Sequence, residues 1–216
     1  HLDHKDLNKN FSTLLGLKTD HQVSNNAEKI FSDSDVVIDF TTPISTEQNL
    51  ITAKNNATPL VIGTTGLTPD IIKSIKEISK DIPILQSANM SIGVNLLFQL
   101  VQQAASILDK TNYDIEISET HHKHKIDAPS GTAIVLGEYA AKGRNSDFNQ
   151  VKVFDRSNST EKRKNGDIGF SVIRGGEIIG EHTVSLIGNN DRIDLSHKTF
   201  NRSIFVKGSV EAAIFL

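Results

Sequence analysis

A chain of 216 residues with 37% hydrophobic residues holds enough apolar material for one large core or two smaller ones. Its formal charge of −3 excludes a general attraction for nucleic acid or an anionic membrane, and the absence of cysteine excludes disulfides, thiolate nucleophiles and zinc ribbons. No apolar run approaches the roughly 20 residues that span a bilayer, so the expectation is a cytoplasmic protein whose redox chemistry would use a borrowed cofactor.

Residues 1–10 are polar, irregular and begin without Met, and the expectation is that further sequence precedes them. Residues 36–40, 60–63 and 82–86 are short β-branched runs, as expected of strands buried on both faces of a parallel sheet. Residues 45–55, between the first two runs, have helical composition. Between the second and third, Thr68-Pro69 supplies an N-cap and a first-turn proline, and Ile71, Ile75 and Ile78 share a helical face. This βαβαβ pattern places a ligand crevice at the carboxyl ends of the strands. Three turns stand there: Phe40-Thr41-Thr42-Pro43, Gly63-Thr64-Thr65-Gly66 and Ser87-Ala88-Asn89-Met90-Ser91. Each has small side chains and backbone N–H groups suited to a nucleotide, although Gly-Thr-Thr-Gly alone also suits an ordinary tight turn. The glycine-rich phosphate fingerprint and the strand that should precede it are not among these residues.

A long helix is predicted over residues 91–108, with Leu97, Leu100, Val101, Ala104 and Leu108 at helical spacing. The period then changes to two: Tyr113, Ile115 and Ile117 alternate with Asp114, Glu116 and Ser118, which marks a half-buried strand. Residues 168–173, 177–187 and 192–197 are further β-like runs, and Gly175-Gly176 and Gly188-Asn189-Asn190 suit hairpin turns. Residues 156–166 are polar and aperiodic and read as a mobile loop. The expected architecture is α/β: a Rossmann-like parallel-sheet nucleotide domain, incomplete at its N-terminus, over 1–91 and 201–216. An α+β domain with a mixed or antiparallel sheet, for substrate binding and oligomerisation, is expected over 92–200.

The chemistry is concentrated where three imidazoles and two ammoniums fall within five residues, His121-His122-Lys123-His124-Lys125. A solvated basic face is one reading. A metal site is another, but adjacent residues of an extended chain point to opposite sides, so no metal is expected. A nucleic-acid patch would call for interleaved aromatic residues and a basic chain. General acid catalysis is the reading that the following residues favour. Pro129 turns the chain, Ser130 can cap, and Gly131-Thr132 open a helix whose free N–H groups and dipole suit a carboxylate. A plain cap would explain Ser-Gly-Thr alone; beside a cationic cluster, a receptor for a small dicarboxylate is the better reading. Lys125 is then a candidate proton donor, favoured by the cations around it.

The stretch from Glu119 to Ala133, Glu-Thr-His-His-Lys-His-Lys-Ile-Asp-Ala-Pro-Ser-Gly-Thr-Ala, resembles the signature of the 4-hydroxy-tetrahydrodipicolinate reductase family, long called dihydrodipicolinate reductase. Residues 37–41, 61–66, 88–95 and 180–183 carry the likeness further, so that it runs from about Asp35 to the C-terminus. The resemblance implies His121 as general acid/base and Lys125 as proton donor, with His122, Ser130, Gly131 and Thr132 around the substrate's carboxylates. It also implies that Phe40, Gly63, Thr64, Thr65, Ser87, Ala88, Asn89 and Met90 line NADH or NADPH, with the preference between the two undecided. Met90 stands where the family commonly has an aromatic residue. The implied reaction is hydride transfer to a cyclic imine-type dicarboxylate, with loss of water, in lysine and diaminopimelate biosynthesis, by a homotetramer. Two rivals share the fold: another nicotinamide-dependent dehydrogenase of small dicarboxylates, and a catalytically inactive binding or assembly module.

Overall fold

A computed structural model describes residues 4–157 and 159–216. The chain forms two compact units, one running to Gln86 and including Ala212–Leu216, the other comprising Ser87–Glu211. The division leaves the Ser87–Met90 turn and most of the last helix with the second unit.

The first unit opens with two short helices, α1 (Phe11–Leu15) and α2 (Ala27–Ser32), each capped by an asparagine. There follow β1 (Val37–Asp39), α3 (Pro43–Asn55), β2 (Leu60–Ile62), α4 (Pro69–Ile78) and β3 (Ile84–Gln86). The strands form a parallel sheet of order β1-β2-β3. Thr42 caps α3 and Pro43 takes its first turn, so this helix begins two residues before the expected segment 45–55. Thr68 and Pro69 start α4 in the same way, and its Ile71 and Ile75 join Phe31, Leu50, Leu60 and Ile62 in the core. Burial on both faces holds for the central strand β2, all three of whose residues are buried, while β1 leaves Ile38 39% exposed because it flanks the sheet.

The second unit contains α5 (Ile92–Ile107), β4 (Asp114–His121), α6 (Gly131–Gly143), α7 (Phe148–Val151), β5 (Lys152–Val153), β6 (Ile168–Arg174), β7 (Gly180–Ile187), β8 (Arg192–Thr199) and α8 (Ser203–Phe215), whose last residues count with the first unit. Ser91 caps α5, which buries Val94, Leu97, Phe98, Val101 and Ala105; Leu100 points to solvent instead. The sheet is mixed, of order β5-β6-β4-β7-β8, with β4 parallel to β6 and antiparallel to β7. Ile115 and Ile117 of β4, Ile168 of β6 and Val184 and Leu186 of β7 pack with Leu136, Ala140 and Ala141 of α6.

Two local expectations are corrected. Gly188-Asn189-Asn190 does join the antiparallel pair β7 and β8, but Gly175-Gly176 closes no hairpin: β6 and β7 lie on opposite sides of β4. The connection instead crosses the end of β4, where the Gly175 N–H donates to the His121 carbonyl at 3.0 Å and the Lys123 N–H to that of Gly176 at 3.2 Å. The segment after β5 is irregular but anchored. The Arg163 guanidinium donates to the Asp114 and Glu116 carboxylates and to the carbonyls of Ile115 and Asp167, and Arg156 adds a 2.7 Å bond to Glu116. Carboxylates on the outward-facing positions of β4 give an otherwise aperiodic loop its attachment. Asn158, within it, lies outside the described residues.

Candidate active site

The alternation of β4 divides the cationic cluster. Ile115, Ile117, Glu119 and His121 all face inward and are buried. Beyond His121 the chain leaves the strand, and the side chains part company. Lys123 and His124 lie at the surface, each 3.8 Å from Glu177. Lys125 is largely covered and pairs with Asp127 at 2.8 Å. Partial burial works against the Asp127 carboxylate, but the Lys125 ammonium outweighs it and holds this group below the ordinary aspartate range. The Arg202 guanidinium lies 3.4 Å from Nε2 of His122. Burial first, then the charges of Arg202 and His124, makes His122 harder to protonate. Among the described residues, no group of three or more potential ligands could hold a metal ion.

A buried polar network lies behind the cluster. Glu119, 1% exposed, accepts from Nδ1 of His121 at 2.6 Å, from both terminal nitrogens of Arg174 at 2.7 Å and from the Ser130 N–H at 2.9 Å. Burial pushes its pKa up, yet the bonds from His121, Arg174 and Ser130 prevail and leave it at about 2. His182, on β7, sets its ring edge-to-face on that of His121 with centroids 5.1 Å apart, and its Nε2 lies 3.0 Å from the Ser130 hydroxyl. Burial, with His121 nearby, drives its pKa down to about 3, so this imidazole is neutral.

The start of α6 can be accounted for donor by donor. Of the N–H groups that a helix start leaves unpaired, that of Ser130 goes to Glu119 and that of Ala133 to the Ser130 hydroxyl at 3.2 Å. Ser130 is buried, with N–H and hydroxyl both committed to protein partners, and thus serves as the cap. The Gly131 N–H faces the Asp127 carboxylate and helps to keep it ionised, and Gly131 has open space on its side-chain side. The Thr132 hydroxyl accepts from Nδ2 of Asn89 at 3.1 Å, which joins the Ser87–Met90 turn to the start of α6. Within that turn, Ser87 and Asn95 hold the Asn89 carbonyl, and Met90 is buried.

The remaining residues expected at a nucleotide belong to the first unit, at the carboxyl ends of β1 and β2. Phe40 is 54% exposed, and its ring lies so close over Gly63 that a Cβ there would stand 2.3 Å from it. The buried Asp39 carboxylate draws the two turns together, accepting from the Thr41 N–H at 3.0 Å and the Thr64 hydroxyl at 3.4 Å, while its other oxygen is buried without a partner among the described residues. The Phe40 ring thus covers the Gly63 backbone, and Thr65 is exposed beside it.

Sequence reasoning assigned no role to Glu119, Arg174, Asp127 or His182. For Glu119 the signal was present: the period of two that buries Ile115 and Ile117 also turns positions 119 and 121 inward. Arg174 and His182 come from other strands, and only the strand order brings them to β4.

Family models match nearly the whole chain: dihydrodipicolinate reductase, N-terminus, over residues 1–90, and dihydrodipicolinate reductase, C-terminus, over residues 93–216. The chain is 43% identical to the 4-hydroxy-tetrahydrodipicolinate reductase of Polynucleobacter necessarius across 97% of its own length and 79% of that protein. It is 45% identical to that of Buchnera aphidicola, across 90% and 71%. Among solved structures, the dipicolinate-bound dihydrodipicolinate reductase from Paenisporosarcina superposes with a TM-score of 0.74 at 26% identity, covering 98% of this chain and 81% of that one. A biliverdin reductase from Synechocystis, at TM-score 0.52 and 12% identity, covering 95% and 77%, shares the fold alone. Sequence relatedness over almost every residue, together with a mixed-sheet unit following a parallel-sheet unit, shows that the chain belongs to the dihydrodipicolinate reductase family.

Proposed function

We propose that the chain is an NAD(P)H-dependent reductase that converts 4-hydroxy-tetrahydrodipicolinate to tetrahydrodipicolinate in lysine and diaminopimelate biosynthesis. The observation that carries the site assignment is the Lys125 ammonium, in the loop between a buried His121 and the open N-terminus of α6. A small dianion needs positive charge and free N–H donors together, and a hydride acceptor needs a proton delivered at the same place. The first unit serves as the nucleotide domain, with Phe40, Gly63, Thr64 and Thr65 at the carboxyl ends of its strands, and the second as the substrate domain.

A bound nicotinamide nucleotide supplies the hydride. The N–H groups of Gly131 and Thr132 hold one substrate carboxylate, and His122 with Arg202 beside it faces the other. Lys125 donates the proton that accompanies the hydride, and His121 exchanges a proton through Nε2. One hydride and one proton are consumed per turnover, and the hydroxyl leaves as water. Ser130 acts through the helix rather than on the substrate.

No described helix is long and apolar enough to cross a membrane; with no cysteine in the chain, a cytoplasmic setting is the reading it supports. A polar sheet surface around Ser118, Thr183 and Ser196 suits contact with further copies, and we infer a homotetramer. The test is oxidation of NADH and of NADPH, using substrate made freshly by the preceding enzyme, with Lys125→Ala as the control. Oxidation that depends on substrate and is lost in Lys125→Ala supports the assignment and ranks the two nucleotides. Folded protein that binds dicarboxylate without turnover would favour the inactive module instead.

A further inference from the structure

Glu119 is buried more deeply than any other charged group around the cluster, and its single carboxylate reaches three separate pieces of the unit: the His121 ring, Arg174 at the end of β6, and the backbone N–H that begins α6. Arg174 extends the set by donating to the Asp127 carbonyl at 2.8 Å, in the loop that carries Lys125. An enclosed carboxylate is stable only when its oxygens are saturated by donors, and here each oxygen has two.

We propose that Glu119 is a positioning residue for the reductase reaction: it holds His121 as the tautomer protonated on Nδ1, leaves Nε2 to exchange the reacting proton, and fixes that ring relative to the start of α6. The inference rests on the reading of His121 as the acid/base group. An ionised carboxylate can only accept, so the proton between Glu119 and His121 belongs to the ring. Nε2 then lies beside Gly180 of β7, where a Cβ would stand 2.9 Å from it. The charged and titratable groups around His121 are Glu119 on its own strand, Arg174 on β6, the neutral His182 on β7, and His122 and Lys125 in the loop. Glu119 is the anion bonded to this ring, while Asp127 in the same loop pairs with Lys125. Arg174 keeps Glu119 ionised, so the ring loses its acceptor only when Glu119 itself is changed.

The experiment compares wild type with Glu119→Gln, Glu119→Asp and the charge-balanced double variant Glu119→Gln/Arg174→Gln, which guards against failure of the single variant to fold. Imidazole nitrogen NMR gives the tautomer and titration of His121, and kcat and KM are followed against pH. The expected result is an Nδ1-protonated neutral ring in wild type. In both Gln variants kcat falls at least ~10-fold with KM changed less than about threefold, and the His121 ring loses its fixed Nδ1-protonated signature in the nitrogen spectrum. Partial recovery is expected in Glu119→Asp. An Nε2-protonated ring in wild type, or wild-type kcat in folded Gln variants, would overturn the proposal. His121→Gln with wild-type kcat would instead show that the acid/base assignment is at fault, and the tautomer measurement reports on Glu119 independently of activity.

Discussion

Lys125 and Asp127 form an ion pair at the surface of the site. Their 2.8 Å pair gives the ammonium a carboxylate of its own, and the same aspartate is close enough to the Gly131 N–H to be stabilised by it. Asp127 thus occupies, from within the chain, the kind of position that a substrate carboxylate needs. Because Asp127 is exposed, the pair stabilises the resting site by roughly 0.2–1 kcal/mol. Asp127→Asn should therefore lower KM for the dicarboxylate by up to about fivefold, with kcat nearly unchanged, as read from steady-state oxidation of the nucleotide. A fall in kcat without a fall in KM would mean that Asp127 aims Lys125 rather than competing for it. The two neighbouring cations behave differently. Lys123 and His124 face Glu177 across solvent, and replacing either by Gln should change kcat/KM less than about twofold, since exposed pairs at 3.8 Å contribute little.

At the scale of elements, the contact between β4 and β7 sets the place of His121. The register pairs Thr120 with Glu181, and Gly180 lies just beyond, with its missing side chain filled by the imidazole. In Gly180→Ala the methyl would stand 2.9 Å from Nε2, so the ring must turn off its bond to Glu119 or the strands must part. The expected outcome is a kcat at least ~10-fold lower with melting temperature reduced by only a few degrees, checked by kinetics and thermal unfolding of the same preparation. A normal kcat would show that the ring has room to spare. How far such features could be read in advance follows from what each element depends on. Helices α4 and α5 and strand β4 were legible because their signals are local: a capping threonine before proline, apolar residues at helical spacing, an alternation of isoleucines. The hairpin at Gly188 was legible for the same reason, whereas the one expected at Gly175 was not formed, because strand order depends on β4 entering between β6 and β7. The site divides likewise. His121, Lys125 and the α6 start are contiguous in sequence, while Arg174 and His182 reach the same place from strands more than fifty residues away.

For the molecule as a whole, the buried site ties stability to pH in a direction fixed by two groups. The folded pKa of His182 lies near 3 against an ordinary 6.5, so below about pH 6.5 the unfolded chain takes up a proton that the folded chain refuses, and stability falls with falling pH until about 3. Glu119 sits near 2 against an ordinary 4.5; its stabilisation is complete above about 4.5 and is lost as pH falls toward 2. Both effects have the same sign in acid, His182 acting first and the two overlapping between about pH 4.5 and 3. At about 1.4 kcal/mol per pH unit, His182 accounts for on the order of 5 kcal/mol and Glu119 for roughly 3 to 4 kcal/mol, comparable to the whole stability of a modest domain. The second unit should accordingly unfold before pH 3, with its loss of stability beginning near pH 6 rather than at carboxylate pH. Hydrogen exchange of the Ile115 and Ile117 amides across pH 7 to 4 measures this within the unit concerned. His182→Gln should flatten the upper part of that dependence while leaving the lower part, which belongs to Glu119. A wild-type profile that stays level down to pH 5 would mean that His182 takes up its proton in the folded state, and the neutral imidazole against His121 would have to be given up.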